Sequence, residues 1–157
     1  MLAIPFSYFL IAIFIFGTII GSFLNVVIFR LGGGKSLGGR SQCMTCGKVL
    51  HTHELIPIFS FLFLAVRCSK CKSKISWQYP VVEFSAGVLA VFCALIFIPH
   101  AFTSLFILTF LFFFAICCVL LVIAVYDIRH KIIPDKMVFL FVALAIVNIF
   151  FVRNGLW

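Results

Sequence analysis

Four long apolar runs, separated by polar segments of very unequal length, organise the 157-residue chain. The first extends from Ile4 to Phe29 with no charge. As a helix it would extend about 39 Å, enough to cross a bilayer with some tilt. It has no basic stretch before it and no small-residue cleavage site, so it reads as a retained span rather than a signal peptide. The second run covers Tyr79 to Ile98 and holds one acid, Glu83, near its start. The third covers Ser104 to Tyr126. The fourth begins near Pro134, which suits a first helical turn because its missing N–H costs nothing there, and ends near Val152. Pro99, His100 and Ala101 make a brief turn between the second and third runs, and Asp127 to Lys136 form a compact polar loop between the third and fourth. The pattern predicts an all-α polytopic membrane protein with about four transmembrane helices.

The long polar interval predicts a separate cytoplasmic module. Three domains are expected: residues 1–29 as the first transmembrane helix, 30–78 as a loop domain, and 79–157 as transmembrane helices two to four. Residues 30–78 carry Arg30, Lys35, Arg40, Lys48, Arg67, Lys70, Lys72 and Lys74 against one acid, Glu54. Within them, Leu55 to Val66 is apolar but too short to span, with Pro57 near its start. It reads as an interfacial or packed segment.

Composition agrees. The chain is 65% hydrophobic and 10% charged, where soluble domains carry about 25% charged residues. This excludes an ordinary soluble protein, a disordered chain and a secreted disulfide scaffold. The net charge of +8 is first a topology signal. Eight cations follow the first span, Arg129, Lys131 and Lys136 follow the third, and Arg153 alone lies on the other side. The positive-inside rule places the larger group in the cytoplasm and both termini outside. Membrane lipid is the expected partner of these cations; nothing resembles a nucleic-acid module.

Cys43-Met-Thr-Cys46 and Cys68-Ser-Lys-Cys71 are two CxxC pairs. Two thiolates at that spacing can face one metal from a tight turn, and two such turns complete a tetrahedral zinc site. Gly47 supports a tight turn after the first pair. Two disulfides or a redox CxxC are the competing readings, and a cytoplasmic location argues against stable disulfides. His51 and His53 read as ordinary loop histidines, and Cys93, Cys117 and Cys118 as packing residues within spans.

Gly17 and Gly21 form a GxxxG, followed on the same helix by Ser22 and Asn25; small residues there let helices approach closely. Glu83 is expected to form a structural pair or cap, within reach of the Lys70–Lys74 cations. Gly32-Gly-Gly-Lys-Ser36 is not a phosphate loop, because Phe29 stands where the motif needs glycine. Asp127 directly follows a long apolar helix, where partial shielding from water would suit acid–base chemistry; the plainer alternative pairs it with Arg129 or Lys131. Asp135 falls in the first turn of the next helix, where the dipole favours a negative charge.

Five segments in order resemble the type IV prepilin leader peptidase family, membrane aspartic peptidases that mature pilins and type II secretion pseudopilins. They are Gly21-Ser-Phe-Leu-Asn-Val-Val-Ile-Phe-Arg-Leu31, the CxxC pairs, Glu54-Leu-Ile-Pro-Ile-Phe-Ser-Phe-Leu62, Ile75-Ser-Trp-Gln-Tyr-Pro-Val-Val-Glu83 and Asp127-Ile-Arg-His-Lys-Ile-Ile-Pro-Asp135. The resemblance covers about residues 15 to 150. It implies a multi-pass protein of the bacterial inner membrane that cuts a short basic leader from prepilins at the cytoplasmic face. In many members S-adenosylmethionine-dependent N-methylation of the new N-terminus follows. It implies Asp127 as the first catalytic aspartate and Cys43, Cys46, Cys68 and Cys71 as zinc-type ligands. No methyl-donor site can be placed.

The family's second aspartate, from a later G-x-G-D segment, has no counterpart, since no Asp or Glu follows Asp135. The family also has about eight spans. Three expectations follow. The chain is an N-terminal piece of the enzyme, inactive without a C-terminal fragment; or a non-catalytic membrane zinc module that binds prepilins or a partner subunit; or one of two copies, each giving an Asp127.

Overall fold

The computed structural model describes residues 6–31, 38–97 and 104–153. Its helices are α1 (Phe6–Leu31), α2 (Phe59–Phe63), α3 (Gln78–Phe97), α4 (Ser104–His130) and α5 (Asp135–Arg153), with a 3-10 turn at Thr52–Leu55. No strand occurs among the described residues; the only pairings of that kind there are the isolated bridges Gln42–Val49 and Arg67–Lys74. By length and composition α1, α3 and α4 are long and apolar enough to cross a membrane. The fourth expected span corresponds to α5, which has 19 residues. The glycine-rich Gly32–Ser36 stretch and the Pro99–Ala101 turn lie outside the described residues.

The chain divides into two compact units, Met1–Val88 and Leu89–Trp157. In the first, α1 meets the start of α3. One face of α1 carries Gly17, Thr18, Gly21, Leu24, Asn25 and Ile28, all buried. Ile11, Ile15, Ile19 and Phe23, at i,i+4 spacing, are exposed. Such an apolar exposed stripe suits lipid contact. The small residues fix the approach. A Cβ on Gly21 would sit 2.8 Å from Glu83 Cα and 3.1 Å from the Val82 carbonyl, and one on Gly87 would strike the Phe14 ring at 2.7 Å. Asn25 Nδ2 donates to the Tyr79 carbonyl at 3.1 Å, a bond between the two helices, and Phe29 stacks on Tyr79. Because backbone rather than a flexible side-chain tip faces Gly21, Gly21→Ala is expected to cost about 1–3 kcal/mol. Thermal unfolding in detergent measures this; Ile19→Ala, on the exposed face, is the control and should change little.

In the second unit, Phe106, Phe110 and Phe114 recur every four residues on α4, buried and stacked in sequence. Cys93 and Cys117 bring their sulfurs to 3.7 Å, and both belong to the helical packing expected of them. Helix α4 ends where Lys131 enters the left-handed region (φ 53) and its N–H bonds to the Asp127 carbonyl at 2.7 Å, a common way to satisfy a last-turn carbonyl. Helix α5 packs against α4 and begins at Asp135, with Pro134 accepting from Met137 N and Val138 N.

Candidate metal centre and catalytic loop

The two CxxC pairs fold into the same turn twice. In the first, Cys43 N donates to Lys48 O, Gly47 N to Cys43 O and Leu50 N to Ser41 O. In the second, 25 residues later, Cys68 N donates to Ser73 O, Lys72 N to Cys68 O and Ile75 N to Val66 O. Each turn needs a left-handed residue just after its second cysteine: Gly47 (φ 68) in one, Lys72 (φ 59) in the other. Glycine adopts that conformation freely and lysine does not.

The pairs converge. The Sγ atoms of Cys43, Cys46, Cys68 and Cys71 all lie within 4.8 Å of one another, and none of the four is in a disulfide. Cys43 and Cys71 are 3.8 Å apart. A tetrahedral ion with metal–sulfur distances of about 2.3 Å requires S–S edges of about 3.8 Å. The cluster could therefore hold a metal ion with little adjustment.

Electrostatics prepare the sulfurs unequally. Backbone N–H groups of Cys46 and Thr45 lower the Cys43 thiol to about 6. The Ser73 hydroxyl and N–H lower Cys71. Cys46 receives a hydrogen bond from the Lys48 backbone, but desolvation and the neighbouring thiols outweigh it and raise it to about 11. Cys43 is thus predisposed to the thiolate, the form that binds metal, and Cys71 is shifted in the same direction.

Glu54 ties the two turns together, a role that sequence reasoning missed. It is 6% exposed. Its carboxylate accepts from Lys48 Nζ at 2.8 Å, from the Ser69 hydroxyl and from His51 N at 2.9 Å. Lys48 follows the first CxxC and Ser69 lies inside the second. The one signal was that Glu54 is the single acid among eight cations in residues 30–78. Lys48 first, then Ser69 and His51 N–H, hold its carboxyl at about 2, below the ordinary 4.5. A depressed carboxyl stabilises the fold above about pH 4.5, and that contribution fades as pH falls toward 2. Glu54→Ala is expected to cost about 1–3 kcal/mol at neutral pH. The gap between wild type and variant in thermal unfolding should close on acidification.

Asp127 lies in the last turns of α4 and is exposed. The apolar part of α4 ends just before it, so Asp127 stands at the polar end of the helix. Asp135 lies in the first turn of α5, as its position beside Pro134 implied. Glu83 takes the structural, cap-like role expected of it, but with a partner other than the expected cations. Among the described residues it pairs with none of Lys70, Lys72 and Lys74; instead its Oε2 accepts from Ile58 N at 2.7 Å, and Ser22 adds a second bond. Ile58 stands at φ 62, an unusual place for a β-branched residue, at the entry to α2. Glu83 is therefore the anchor of that entry. His51 and His53 stack on each other outside the sulfur cluster.

Comparison with known proteins adds to this geometry. The sequence model described as "Bacterial Peptidase A24 N-terminal domain" matches residues 15–97. The chain belongs to that family. Similar curated proteins carry the name "Prepilin leader peptidase/N-methyltransferase". One from Myxococcus xanthus is 44% identical over 86 residues, covering 54% of this chain and 26% of that protein. One from Pseudomonas putida is 34% identical over 116 residues, covering 59% and 40%. One from Bacillus subtilis is 34% identical over 142 residues, covering 82% and 50%. The chain thus spans half the length or less of these relatives. No solved structure matches. As an A24 N-terminal domain, the chain has the greater part of α1, its CxxC turns, Glu54 and α3 inside the matched region, whereas Asp127 falls beyond it.

Proposed function

We propose that this chain is the part of a prepilin leader peptidase that carries the first catalytic aspartate, Asp127, and a structural zinc module. The substrates are type IV prepilins and pseudopilins, whose basic leader is removed at the cytoplasmic face of the inner membrane. Both chain termini lie on the other side. The observation that carries the reading is the family match over residues 15–97, in a chain that also contains Asp127-Ile-Arg-His-Lys-Ile-Ile-Pro-Asp135.

In an aspartic peptidase two carboxylates share a proton; one activates water and the other protonates the carbonyl oxygen or leaving group. Here Asp127 supplies one. The chain's other acids are placed elsewhere: Glu54 in the CxxC module, Glu83 at the entry to α2, and Asp135 at the start of the next helix. A second carboxylate has to come from a C-terminal segment or from the Asp127 of a second copy. Cys43, Cys46, Cys68 and Cys71 would hold zinc, which when bound fixes the two turns against each other. S-adenosylmethionine is the methyl donor implied if the N-methyltransferase activity is present.

The test incubates a prepilin with membranes holding this chain, with and without the separately produced C-terminal half of a relative. Leader removal, read by mass, is expected in the mixture. No cleavage in either arm overturns the reading, and cleavage by the chain alone assigns the second carboxylate to another copy. A second reading, a non-catalytic zinc module that binds prepilins or a partner subunit, rests on the converging four-cysteine cluster alone. It predicts capture of prepilin without cleavage.

A further inference from the structure

At the start of α3 the first unit carries a groove of about 320 Å³ that no step of the proposed reaction uses. Ile58, Phe61 and Leu62 of the α2 segment form one wall; Trp77, Pro80, Val81 and Phe84 form the other. The volume lies in the range of small-ligand sites, and its lining is almost wholly apolar. Phe61 is buried, with its ring edge-on to Trp77 at 4.9 Å. Trp77 itself is 67% exposed, at the point where an apolar helix gives way to a cation-rich loop. A tryptophan at such a junction suits the headgroup level of a bilayer.

A cationic rim adjoins this apolar groove. Val66 N bonds to Phe61 O, so the chain leaves the groove wall directly into Arg67. Arg67 pairs across an antiparallel bridge with Lys74, three residues before Trp77. Arg67, Lys70, Lys72 and Lys74 are exposed. The loop's single acid, Glu54, is already engaged by Lys48. A zinc ion on four thiolates would contribute about two negative charges, which still leaves the second CxxC turn positive. An apolar groove and, a few residues along the chain from both of its walls, a bridged pair of cations together suit one amphipathic anion.

We propose that this groove binds an anionic phospholipid of the surrounding bilayer, with an acyl chain against Phe61, Leu62, Trp77 and Phe84 and the phosphate on Arg67 and Lys74. Charge complementarity selects the occupant: a zwitterionic lipid would fill the groove equally well but leave the cations unmatched. The site is independent of whether the chain cleaves prepilins.

The chain has two tryptophans, Trp77 and Trp157, so Trp157→Phe leaves Trp77 as the sole reporter. The purified chain is placed in vesicles containing phosphatidylglycerol or phosphatidylcholine with brominated acyl chains, at equal mole fraction, and Trp77 quenching is read. Brominated phosphatidylglycerol is expected to be preferred by about fivefold for each cation engaged. Arg67→Gln with Lys74→Gln should abolish the preference while quenching by brominated phosphatidylcholine persists. Exchanging the two residues, Arg67→Lys with Lys74→Arg, should keep it, and unchanged metal content shows that the turn remains folded. Equal quenching by the two lipids overturns the proposal, as does a preference that survives the double glutamine variant. Relief of quenching by an added apolar helical peptide would assign the groove to a peptide segment and likewise overturn it.

Discussion

Cys68→Ala is expected to release the metal and unfold residues 41–75 together, leaving the long helices intact. Of the four sulfurs, the one on Cys68 belongs to the most buried residue, at 4% exposed. The two turns are held otherwise by a few backbone bonds, two isolated bridges and the Glu54 contacts. That is too little apolar burial to order some thirty-five residues, given about 1–2 kcal/mol of backbone entropy for each. A structural zinc site contributes about 10–16 kcal/mol, more than the rest of the module can replace. Metal analysis should fall from one zinc per chain to none, and limited proteolysis should open the segment while helical circular dichroism is retained. One zinc per chain and a protected loop in Cys68→Ala would remove the metal from the account. Chelation of the wild type should reproduce the variant.

Asp127→Asn is expected to reduce leader cleavage by about 10²–10⁴-fold, the usual contribution of a positioned acid or base. The folded state should be nearly unaffected. Asp127 is exposed, its backbone carbonyl closes α4 through Lys131 N, and asparagine preserves that bond. The loss should fall on kcat, because the amide retains the size of the carboxyl but cannot take a proton from water. The assay uses the chain supplemented with the partner that supplies the second carboxylate, followed by mass analysis of the prepilin. Undiminished cleavage in Asp127→Asn would reassign the first catalytic group.

What could be read in advance was what depends on near neighbours in the sequence. The spans of α1, α3 and α4 follow from uninterrupted apolar stretches, whose ends the structure shifts by only a few residues. The cysteine cluster follows from CxxC spacing, a local constraint. The misses are tertiary. Glu83 looked like a partner for a nearby lysine, yet a backbone N–H at Ile58, 25 residues upstream, takes it. Gly87 drew no notice because the Phe14 ring and the Thr18 methyl, packed across it from α1, are what explain its lack of a side chain. Glu54 was visible as an isolated acid, but its link between the two turns depends on Lys48 and Ser69 arriving from opposite sides. Asp127 stood out from its motif, whereas its exposure depends on where α4 ends.

The doubled turn has a dynamic consequence. Its halves share a hydrogen-bond pattern but differ at the left-handed position, glycine in one and lysine in the other. A side chain there costs about 1–2 kcal/mol, which corresponds to roughly a five- to thirtyfold difference in how often each half opens. The Lys72 half is the weaker latch. Amide hydrogens at Lys72 and Ile75 should exchange with solvent ahead of those at Gly47 and Leu50, so that a metal held by the four cysteines would be expected to leave and enter through the Lys72 side.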